Sequence, residues 1–408
     1  MRQPTYFRMS ATRTGVGLGC GLALACGAGL TNPQQGPAGP AASKNAGLAA
    51  IVTSGNPFDD ARFYVNPDYA AKVEATARTV PSEAERLRRV EAFPTAVWLS
   101  SIALVRGASR YLDAARAEQD ELGQLVVTVL VLYDLPDRDC AAKASAGELP
   151  LGEGEGRYRS EVVDPLAAQL RAHAGQRVVV VLEPDSLANI ATNLDVGTCR
   201  AAEPAYRRSI AYAVRTLSMP HVSIYLDAAH AGWLGWDGNR AKIARVFREV
   251  LDEAGGVGRI RGFVTNVSNF NTLAGGDGKR LEPSDPCPDE LTYVQKLSAS
   301  LAEVQIEGKG FLVDTGRNGR GGIRSKWAAW CNVKGAGLGE RPRSSPAPGV
   351  DAYYWVKPPG ESDGSSDPSA PGYDPQCSAN DSAADAPHAG EWFASYFVEL
   401  AQNANPPL

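Results

Sequence analysis

The sequence predicts an α/β domain whose parallel strands, covered by helices, close into a barrel. Seven runs are continuously apolar or β-branched, as expected of strands that are buried on both faces. Segments with helical spacing alternate with these runs, which is the order of elements in parallel α/β folds. Polar groups follow six of the runs, and a closed barrel gathers such groups on one face more readily than an open sheet does.

The predicted strands are short and are separated by more polar segments. In chain order they are "TAVWL" from Thr95, "LVVTVLVLY" from Leu125, "RVVVVL" from Arg177, "VSIYL" from Val222, "IRGFVTNV" from Ile260, "GFLVD" from Gly310 and "AYYWVK" from Ala352. The third run ends directly in Glu183, Pro184 and Asp185. Two acids cannot lie unpaired within an apolar core, so they are expected at the mouth of the barrel.

The segments between the strands predict helices. Tyr206, Ile210, Val214 and Leu217 recur at intervals of four, four and three, which places them on one helix face. Similar patterns predict helices over residues 161–174, 240–253 and 289–304.

The carboxyl ends of the predicted strands hold the candidate functional groups. Parallel α/β folds place their chemistry at these ends, so polar residues there are expected to share one rim. They fall in residues 134–139, 183–185, 227–230, 266–269, 314–317 and 357–363.

Composition and motifs exclude several classes of protein. The chain of 408 residues has 41 basic and 46 acidic side chains, a net charge of -5, which offers no case for nucleic acid or an anionic membrane as its main partner. Four histidines and no CxxC pair argue against structural zinc, and we expect neither a metal nor a cofactor. The segment "GRNGRGG" lacks the glycine order of a nucleotide-binding loop, and no GxSxG motif of a serine hydrolase occurs.

The first 55 residues differ in character from the rest. Residues 1–30 combine arginines with a short uncharged run of small and apolar residues, which predicts an export signal; a membrane anchor is the alternative, but the run is short and rich in glycine. Cys26 stands where a lipid-modified cysteine could. Residues 31–55 predict a Pro/Gly/Ala linker, and residues 56–408 one catalytic domain. We therefore expect a secreted protein, acting as a monomer, with a possible lipid anchor.

Export changes how the cysteines are interpreted. Outside the signal region the chain has five of them, Cys140, Cys199, Cys287, Cys331 and Cys377. In an oxidising compartment, five scattered cysteines predict two disulfides and one spare thiol.

Two aspartates at neighbouring strand ends are the candidate chemistry. Asp139 and Asp185 follow adjacent runs, in "YDLPDRDC" and "LEPDSL". Glycoside hydrolysis requires at least two carboxyl groups facing one cleft. One of them must stay protonated so that it can donate to the leaving oxygen. The alternative is that both acids cap the helices that follow their strands.

Four tryptophans give a second indication of a carbohydrate site. They are Trp98 at the end of the first strand, Trp233 and Trp236 in "AHAGWLGWDG", and Trp330. The axial C–H groups of a sugar ring pack on an aromatic plane, so indole side chains often pave such sites. Buried core tryptophan is the alternative, although two tryptophans in a glycine-rich loop fit a core poorly.

These motifs resemble the family 6 glycoside hydrolases, the inverting β-1,4-glucanases and cellobiohydrolases. The two signature segments are matched by "VLYDLPDRDCAAKASAGE" and "VVVLEPDSLANIATN". Further likeness extends through "IYLDAAHAGWLGW", "GFVTNVSNFN", "VDTGRNG", "WCNVKGAGLGERP" and "WVKPPGESDGSSD", from Asn56 to the C-terminus. The resemblance implies a distorted seven-stranded β/α barrel with long loops roofing the active site, in agreement with the seven runs.

The resemblance also implies catalytic roles. Asp185 would be the general acid, and Asp139 would hold up its pKa and help relay the proton of the attacking water. Tyr133 would press on the sugar at the cleavage subsite, and Ser145 would help hold the water. The base stays open between Asp363 and a water chain through Asp139 and Ser145, and inversion has room for either.

Other matched residues would bind or support the substrate. Arg138 and Arg317 would pair with the catalytic carboxylates and keep them ionised. Asp227 would act electrostatically at the rim, and His230 would form hydrogen bonds rather than transfer protons. The remaining contacts to the sugar would come from Lys357, Glu361, Asn266 and the four tryptophans.

Pairing of cysteines and the mode of action follow from the same resemblance. It implies disulfides Cys140–Cys199 and Cys331–Cys377 and leaves Cys287 unpaired. The long segments 363–389 and 140–158 would roof a tunnel, which favours an exo-acting cellobiohydrolase releasing cellobiose. An endoglucanase with an open cleft is the alternative.

Overall fold

Eight strands pair in parallel in one continuous sheet in the computed structural model, which describes residues 52–275, 281 and 285–408. The predicted export signal, Cys26 and all but the last residues of the predicted linker lie outside the described residues. Within the described part, no helix combines the length and the apolar character needed to cross a bilayer.

The described residues form nine strands, of which seven coincide with the predicted runs. They are β1 (Arg62–Phe63), β2 (Val97–Leu99), β3 (Val126–Leu132), β4 (Arg177–Leu182), β5 (Val222–Asp227), β6 (Gly262–Thr265), β7 (Gly310–Asp314), β8 (Arg343–Ala347) and β9 (Val350–Tyr354). The pairing order is β1-β3-β4-β5-β6-β7-β9-β8, with β2 also on β3. β1 and the antiparallel β8 are additions at the two edges that the sequence did not predict.

The sheet curls until its first and last parallel strands meet. A single parallel bridge joins Thr95 to Trp355, and the Ala96 N–H donates to the Trp355 carbonyl at 3.1 Å. The Trp98 indole N–H adds a bond to the Val356 carbonyl at 2.8 Å. The predicted barrel is therefore confirmed. It is distorted where the sheet closes, because few hydrogen bonds join the two strands there.

Helices cover the outside of the barrel. They are α1 (Pro67–Thr79), α2 (Ala84–Arg88), α3 (Ile102–Arg106), α4 (Ser109–Leu122), α5 (Gly154–Arg157), α6 (Asp164–Ala172), α7 (Ser186–Thr192), α8 (Gly197–Leu217), α9 (Ala231–Leu234), α10 (Asp237–Ala254), α11 (Glu290–Glu303) and α12 (Ala394–Gln402). Short 3₁₀ helices span Arg89–Ala92, Val257–Arg259 and Pro375–Ser378, and a π-helical turn spans Tyr158–Val163. The four predicted helices correspond to α8, to the π turn with α6, to α10 and to α11.

Alternate strand residues face two different cores, which explains the unbroken apolar runs. In β4, Val179 and Val181 belong to the cluster that fills the barrel. Val178 and Val180 point the other way and join the larger cluster between sheet and helices. Both faces of the strand are dry, so every position in it must be apolar.

Two disulfides are present, Cys140–Cys199 and Cys331–Cys377, the pairs that the resemblance implies. Cys287 is a buried free thiol whose Sγ lies 3.2 Å from the Gly235 carbonyl. Each disulfide fixes a long segment at the rim of the barrel.

The amino end of the barrel is held by a buried ion pair that requires glycine beside it. Asp351 accepts from the Tyr225 hydroxyl at 2.6 Å and from two nitrogens of Arg261 at 2.6 and 2.8 Å. Gly262 and Gly310 pair in register next to it, and a Cβ on Gly310 would overlap the Asp351 carboxylate. The absence of a side chain at Gly310 makes room for the ion pair.

Gly310→Ala is expected to lower the free energy of unfolding by about 3 kcal/mol, because the added methyl group must displace a buried carboxylate. Urea unfolding with the disulfides intact would measure this change. Gly258→Ala is the matched control, since nothing lies within 4 Å of its added Cβ. Equal unfolding free energies for the two variants would contradict the assignment of Gly310.

Candidate active site

The carboxyl ends of the strands surround a cavity of about 850 Å³. Residues from six strand ends, from α1 and α4 and from the two long rim segments line it. Twelve of the sixteen predicted site residues are among them: Asp185, Asp139, Asp363, Tyr133, Ser145, Trp98, Trp233, Trp330, Lys357, Glu361, His230 and Arg138. The predicted rim of functional groups is therefore present, and most of these groups line a single cavity.

Asp185 stands at the start of α7 but does not cap that helix. Its backbone is left-handed, with φ of 66°, and its side chain makes no capping hydrogen bond. Its own N–H donates to Asp227 Oδ2 at 2.9 Å. The capping alternative is thus wrong for Asp185, whose carboxyl group lines the cavity instead.

Burial raises the pKa of Asp185 well above its usual range, and the neighbouring carboxylates of Asp227, Asp139 and Asp363 raise it further. Each nearby negative charge disfavours ionisation of Asp185, so the surroundings favour the protonated form of this group. A protonated carboxyl group facing a cleft can act as a general acid.

Asp139 reaches the same cavity from the end of β3. Burial raises its pKa to about 6, helped by Asp374 and opposed by the Arg138 guanidinium and the Ser145 backbone N–H. Its backbone is also left-handed, with φ of 59°. Asp139 can therefore exchange a proton at mildly acidic pH while Asp185 keeps its own.

Asp363 is held by a buried ion pair. Arg317 Nη1 and the Asn332 N–H both donate to Asp363 Oδ2, at 2.7 and 2.9 Å. The guanidinium also stacks over the Phe270 ring, 4.3 Å from its centroid. Arg317 thus pairs with a candidate catalytic carboxylate, as the resemblance implies, although it does not itself line the cavity.

Three other buried carboxyl groups tie neighbouring strand ends together. Glu183 accepts from the backbone N–H of Asp134 and of Leu135, at 3.1 and 3.3 Å, and so joins the ends of β3 and β4. Asp227 accepts from Asp185 and Ala229 and so joins the ends of β4 and β5.

Asp314 does the same on the other side of the barrel. It accepts from the N–H groups of Ser268, Gly316 and Lys357 at 3.2, 2.9 and 2.9 Å, which joins the ends of β6, β7 and β9. Burial raises the pKa values of Glu183, Asp227 and Asp314 to about 8, 7 and 6. The sequence analysis gave Glu183 and Asp314 no separate role. Their positions could have indicated a bridging role, because each acid stands at the end of its apolar run, before the residues that face the cavity.

The backbone is strained where these groups emerge. Non-glycine residues with positive φ are sparsely populated and cluster at functional sites. In the loops that follow β3, β4, β5 and β6 they are Asp137, Asp139, Glu183, Asp185, Ala229, Asn266 and Ser268. These tight bends turn side chains toward the cavity immediately after each strand.

One wall of the cavity combines indole with charge. Trp98 packs edge to face on Tyr133 at 5.5 Å, and Lys357 Nζ lies 5.4 Å from the Trp98 ring centroid. Next to them, Lys72 of α1 forms an ion pair with Glu361 at 2.8 Å. Lys72 lines the cavity and was missed, because nothing in the sequence of α1 distinguishes it from a surface lysine.

A second wall of the cavity is made of indole side chains. Trp233 is held by a bond from its indole N–H to Thr192 Oγ1 at 2.9 Å, and Trp330 lines the same wall. Trp327 also lines it, packed so closely on Gly232 that a Cβ there would meet the indole at 2.5 Å. The sequence analysis missed Trp327, although its place three residues before Trp330 in "WAAW" was an available signal.

His230 lies between these walls in a buried hydrogen-bond network. Its Nδ1 is 2.9 Å from Asn271 Nδ2, and burial together with Arg324 lowers its pKa to about 3. The ring is neutral at any pH at which the protein is expected to work. It can orient groups through hydrogen bonds but cannot hold a proton as an imidazolium.

Three of the predicted contact residues are not part of the cavity lining. Trp236 directly precedes α10 and is not among the residues that line the cavity. Asn266 is fully buried, and its amide donates to the Asp314 carbonyl at 2.9 Å instead of facing a ligand. Asp227 is not part of the cavity lining either; it accepts from the Asp185 N–H, and its charge raises the pKa of Asp185.

Arg138 also differs from expectation. Its guanidinium donates to the carbonyls of Ser145, Ser100 and Tyr133 and lies 3.5 Å from Asp134 Oδ1. It therefore fixes the loop that carries Asp139 and does not form an ion pair with Asp139 itself. Its charge still lowers the pKa of that residue.

The two rim segments, the 140–158 loop and the 363–389 loop, both contribute to the cavity lining. Ala141, Ala142, Ala144, Ser145 and Ala146 come from the first, and His388 and Ala389 from the second. The loops meet where the Lys143 N–H donates to Asp374 Oδ2 at 3.2 Å. Among the described residues, no group of three or more histidine, cysteine or acidic side chains is placed to hold a metal ion.

Comparison with known proteins agrees with this geometry. The family profile "Glycosyl hydrolases family 6" matches residues 58–404. Exoglucanase 3 of Agaricus bisporus is 42% identical over 359 residues, covering 87% of this chain and 80% of the relative. The 1,4-beta-D-glucan cellobiohydrolase C of Emericella nidulans is 41% identical over 368 residues, with 87% and 80% covered. The structure of cellobiohydrolase II from Humicola insolens in complex with glucose and cellotetraose superposes with a TM-score of 0.83 at 36% identity, covering 87% of this chain and 100% of that one.

We expect His230 to stay neutral from pH 8 down to about pH 4, because burial and the Arg324 charge disfavour the imidazolium. The folded pKa lies below the ordinary value, so this group lowers stability as the pH falls below about 6.5. Nitrogen-15 NMR of the imidazole rings would follow the titration, with a His230→Gln variant to assign the resonance. A midpoint between pH 6 and 7 would contradict the prediction.

Proposed function

The chain belongs to family 6 of the glycosyl hydrolases, and from that premise we propose that it hydrolyses β-1,4-glucosidic bonds of cellulose with inversion, releasing cellobiose from chain ends. Asp185 carries the proposal. Its carboxyl group is protonated by its surroundings, lacks a capping bond and lines the cavity between the two walls. This is the placement that a general acid for the leaving glycosidic oxygen requires.

The water that attacks the anomeric carbon must lose a proton on the side opposite the acid. Ser145 and Asp139 line the cavity together, and the Ser145 backbone N–H lowers the pKa of the Asp139 carboxyl group. We assign proton uptake to Asp139 through a water held at Ser145. Asp363 is the alternative base, although its Oδ2 already accepts from Arg317 and from the Asn332 N–H.

The two walls suit the two parts of a glucan chain. Trp98 and Tyr133 offer ring faces to glucosyl units, and Lys357 and Glu361 offer charged hydrogen-bond partners to their hydroxyl groups. Trp233 and Trp330 pave the other side, and Trp327 is added to them. Tyr133, at the end of β3 beside Asp139, is assigned to press on the sugar at the cleaved bond.

Exo action is supported by the closed roof. Both rim loops line the cavity and meet at Lys143 and Asp374. A roofed cavity admits a chain end more readily than the middle of a chain. The relatives named exoglucanase and cellobiohydrolase support the same choice over an endoglucanase. We further propose that the protein is extracellular, where its two disulfides would persist, and that it acts as a monomer.

Asp185→Ala is expected to lower kcat on cellotetraose by about 10³-fold, because the leaving oxygen loses its proton donor. Affinity for cellotetraose, measured by calorimetry, should change by less than about threefold, since no packing surface is removed. Loss of activity should be much smaller on a cellobioside with an acidic phenol as leaving group, which needs little protonation. Asp195→Ala, at an exposed aspartate beyond α7, is the control and should hydrolyse both substrates normally. Equal losses on both substrates would refute the acid assignment.

Exo action predicts that cellobiose dominates the products from the earliest time points on a soluble cellulose derivative and on insoluble cellulose. The viscosity of the soluble derivative should fall slowly for each bond cleaved, because cuts at chain ends barely shorten the chain. Viscometry combined with reducing-end counting measures both quantities. A rapid fall in viscosity with a mixture of longer oligosaccharides would support the endoglucanase alternative instead.

A further inference from the structure

The two rim loops are joined by one carboxylate whose oxygens serve different loops. Asp374 Oδ2 accepts the backbone N–H of Lys143 in the 140–158 loop at 3.2 Å. Its Oδ1 accepts from the Gln376 N–H at 2.9 Å and so caps the 3₁₀ helix Pro375–Ser378 of its own loop. The side chain is nearly buried, with 9% of its surface exposed, so these bonds are sheltered from water.

Close backbone packing surrounds this bond. A Cβ on Gly372 would lie 3.2 Å from the Lys143 carbonyl oxygen, and one on Gly364 would lie 2.8 Å from the Ala144 Cβ. Each loop is also anchored by its own disulfide, and the Cys377 sulfur lies at this seam, where a Cβ on Gly364 would approach it to 2.7 Å. The loops therefore meet along a short seam of small residues, with Asp374 as the charged group in it.

Lys143 stands between the two residues assigned to the attacking water. The Ala142 N–H bonds to the Asp139 carbonyl at 2.9 Å, and the Ser145 backbone N–H is close enough to lower the pKa of the Asp139 carboxyl group. Arg138 Nε holds the Ser145 carbonyl at 2.7 Å from the other side. A shift of the Lys143 backbone would therefore displace Ser145 relative to Asp139.

We propose that Asp374 is a positioning residue for hydrolysis: by holding the Lys143 amide it keeps the 140–158 loop closed over the cavity and Ser145 in place against Asp139. This rests on the proposed function. Roof closure and proton uptake are thereby coupled, because the same loop covers the substrate and holds the water.

The Asp374 charge acts on the same group. After burial, it is the main influence that raises the pKa of Asp139. The charged and titratable groups around Asp139 are Arg138, Asp374, Asp185, Tyr133 and Tyr206. Of these, only Arg138 lowers the pKa of Asp139. Removing the Asp374 charge therefore lowers that pKa, so the ionised form that accepts a proton persists to lower pH.

Asp374→Asn tests the proposal. Its amide oxygen can still cap the 3₁₀ helix, but its NH₂ group cannot accept from the Lys143 N–H. We expect kcat on cellotetraose to fall about tenfold, the size of one lost hydrogen bond to a charged group. The acid limb of kcat/KM should move to lower pH, and hydrogen exchange in the 140–158 loop should become faster. Asp367→Asn is the matched control: it makes the same charge change in the same loop at an exposed residue bonded only within its own turn.

Identical behaviour of the two variants in kcat, acid limb and exchange would overturn the proposal. So would a loss of kcat in Asp374→Asn with neither of the other changes, because a general fold defect would then explain it. In the unmodified protein the Lys143 amide should exchange slowly, and fast exchange there would refute the bond even if the variant failed to fold. Exchange does not depend on turnover. Absence of cellotetraose hydrolysis by the unmodified protein would instead count against the proposed function.

Discussion

Buried carboxyl groups that accept backbone N–H groups from neighbouring strand ends are the constraint on which the rim of this barrel depends. At the end of a parallel strand the regular ladder stops and leaves amides that must find another acceptor in a dry interior. Glu183, Asp227 and Asp314 supply it, each bridging two or three strand ends. The loops that leave the barrel are therefore fixed relative to one another before any ligand arrives.

The same burial produces the chemistry. Hydrogen bonds from N–H groups partly offset the rise in pKa that burial causes, whereas a buried carboxyl group without such bonds has no such offset. One oxygen of Asp227 accepts the backbone N–H of Asp185, and this bond keeps the Asp227 carboxyl group close to Asp185. Asp185 has burial and three acidic neighbours acting on it in one direction, and no capping bond to oppose them. The raised pKa of Asp185 therefore results from its burial beside other acidic groups. Backbone N–H groups that bond to the neighbouring carboxyl groups stabilise this arrangement.

The sequence predicted the barrel well and the roles of its rim less well, for a physical reason. Unbroken apolar runs such as that of β4 are required by a strand with two buried faces, so the seven strands of the barrel could be predicted, whereas the short edge strands β1 and β8 could not. Motif resemblance supplied Asp185, Asp139 and the cysteine pairs. What it could not supply was side-chain direction after each strand, which depends on left-handed turns such as those at Asn266 and Ala229. Asn266 consequently faces inward, and Trp236 is not among the residues that line the cavity.

The two walls of the cavity differ in a way that agrees with action at chain ends. Stacking on indole planes tolerates many positions along a glucan, so the Trp233 and Trp330 wall lets a chain advance. Charged partners such as Lys357 and the Glu361–Lys72 pair are directional, and they hold a sugar unit in one place only. An enzyme that repeatedly advances a strand and releases a unit of fixed length needs one wall of each kind. Two such walls would give an open-cleft enzyme no advantage, because its substrate enters from the side and is not cut into units of fixed length.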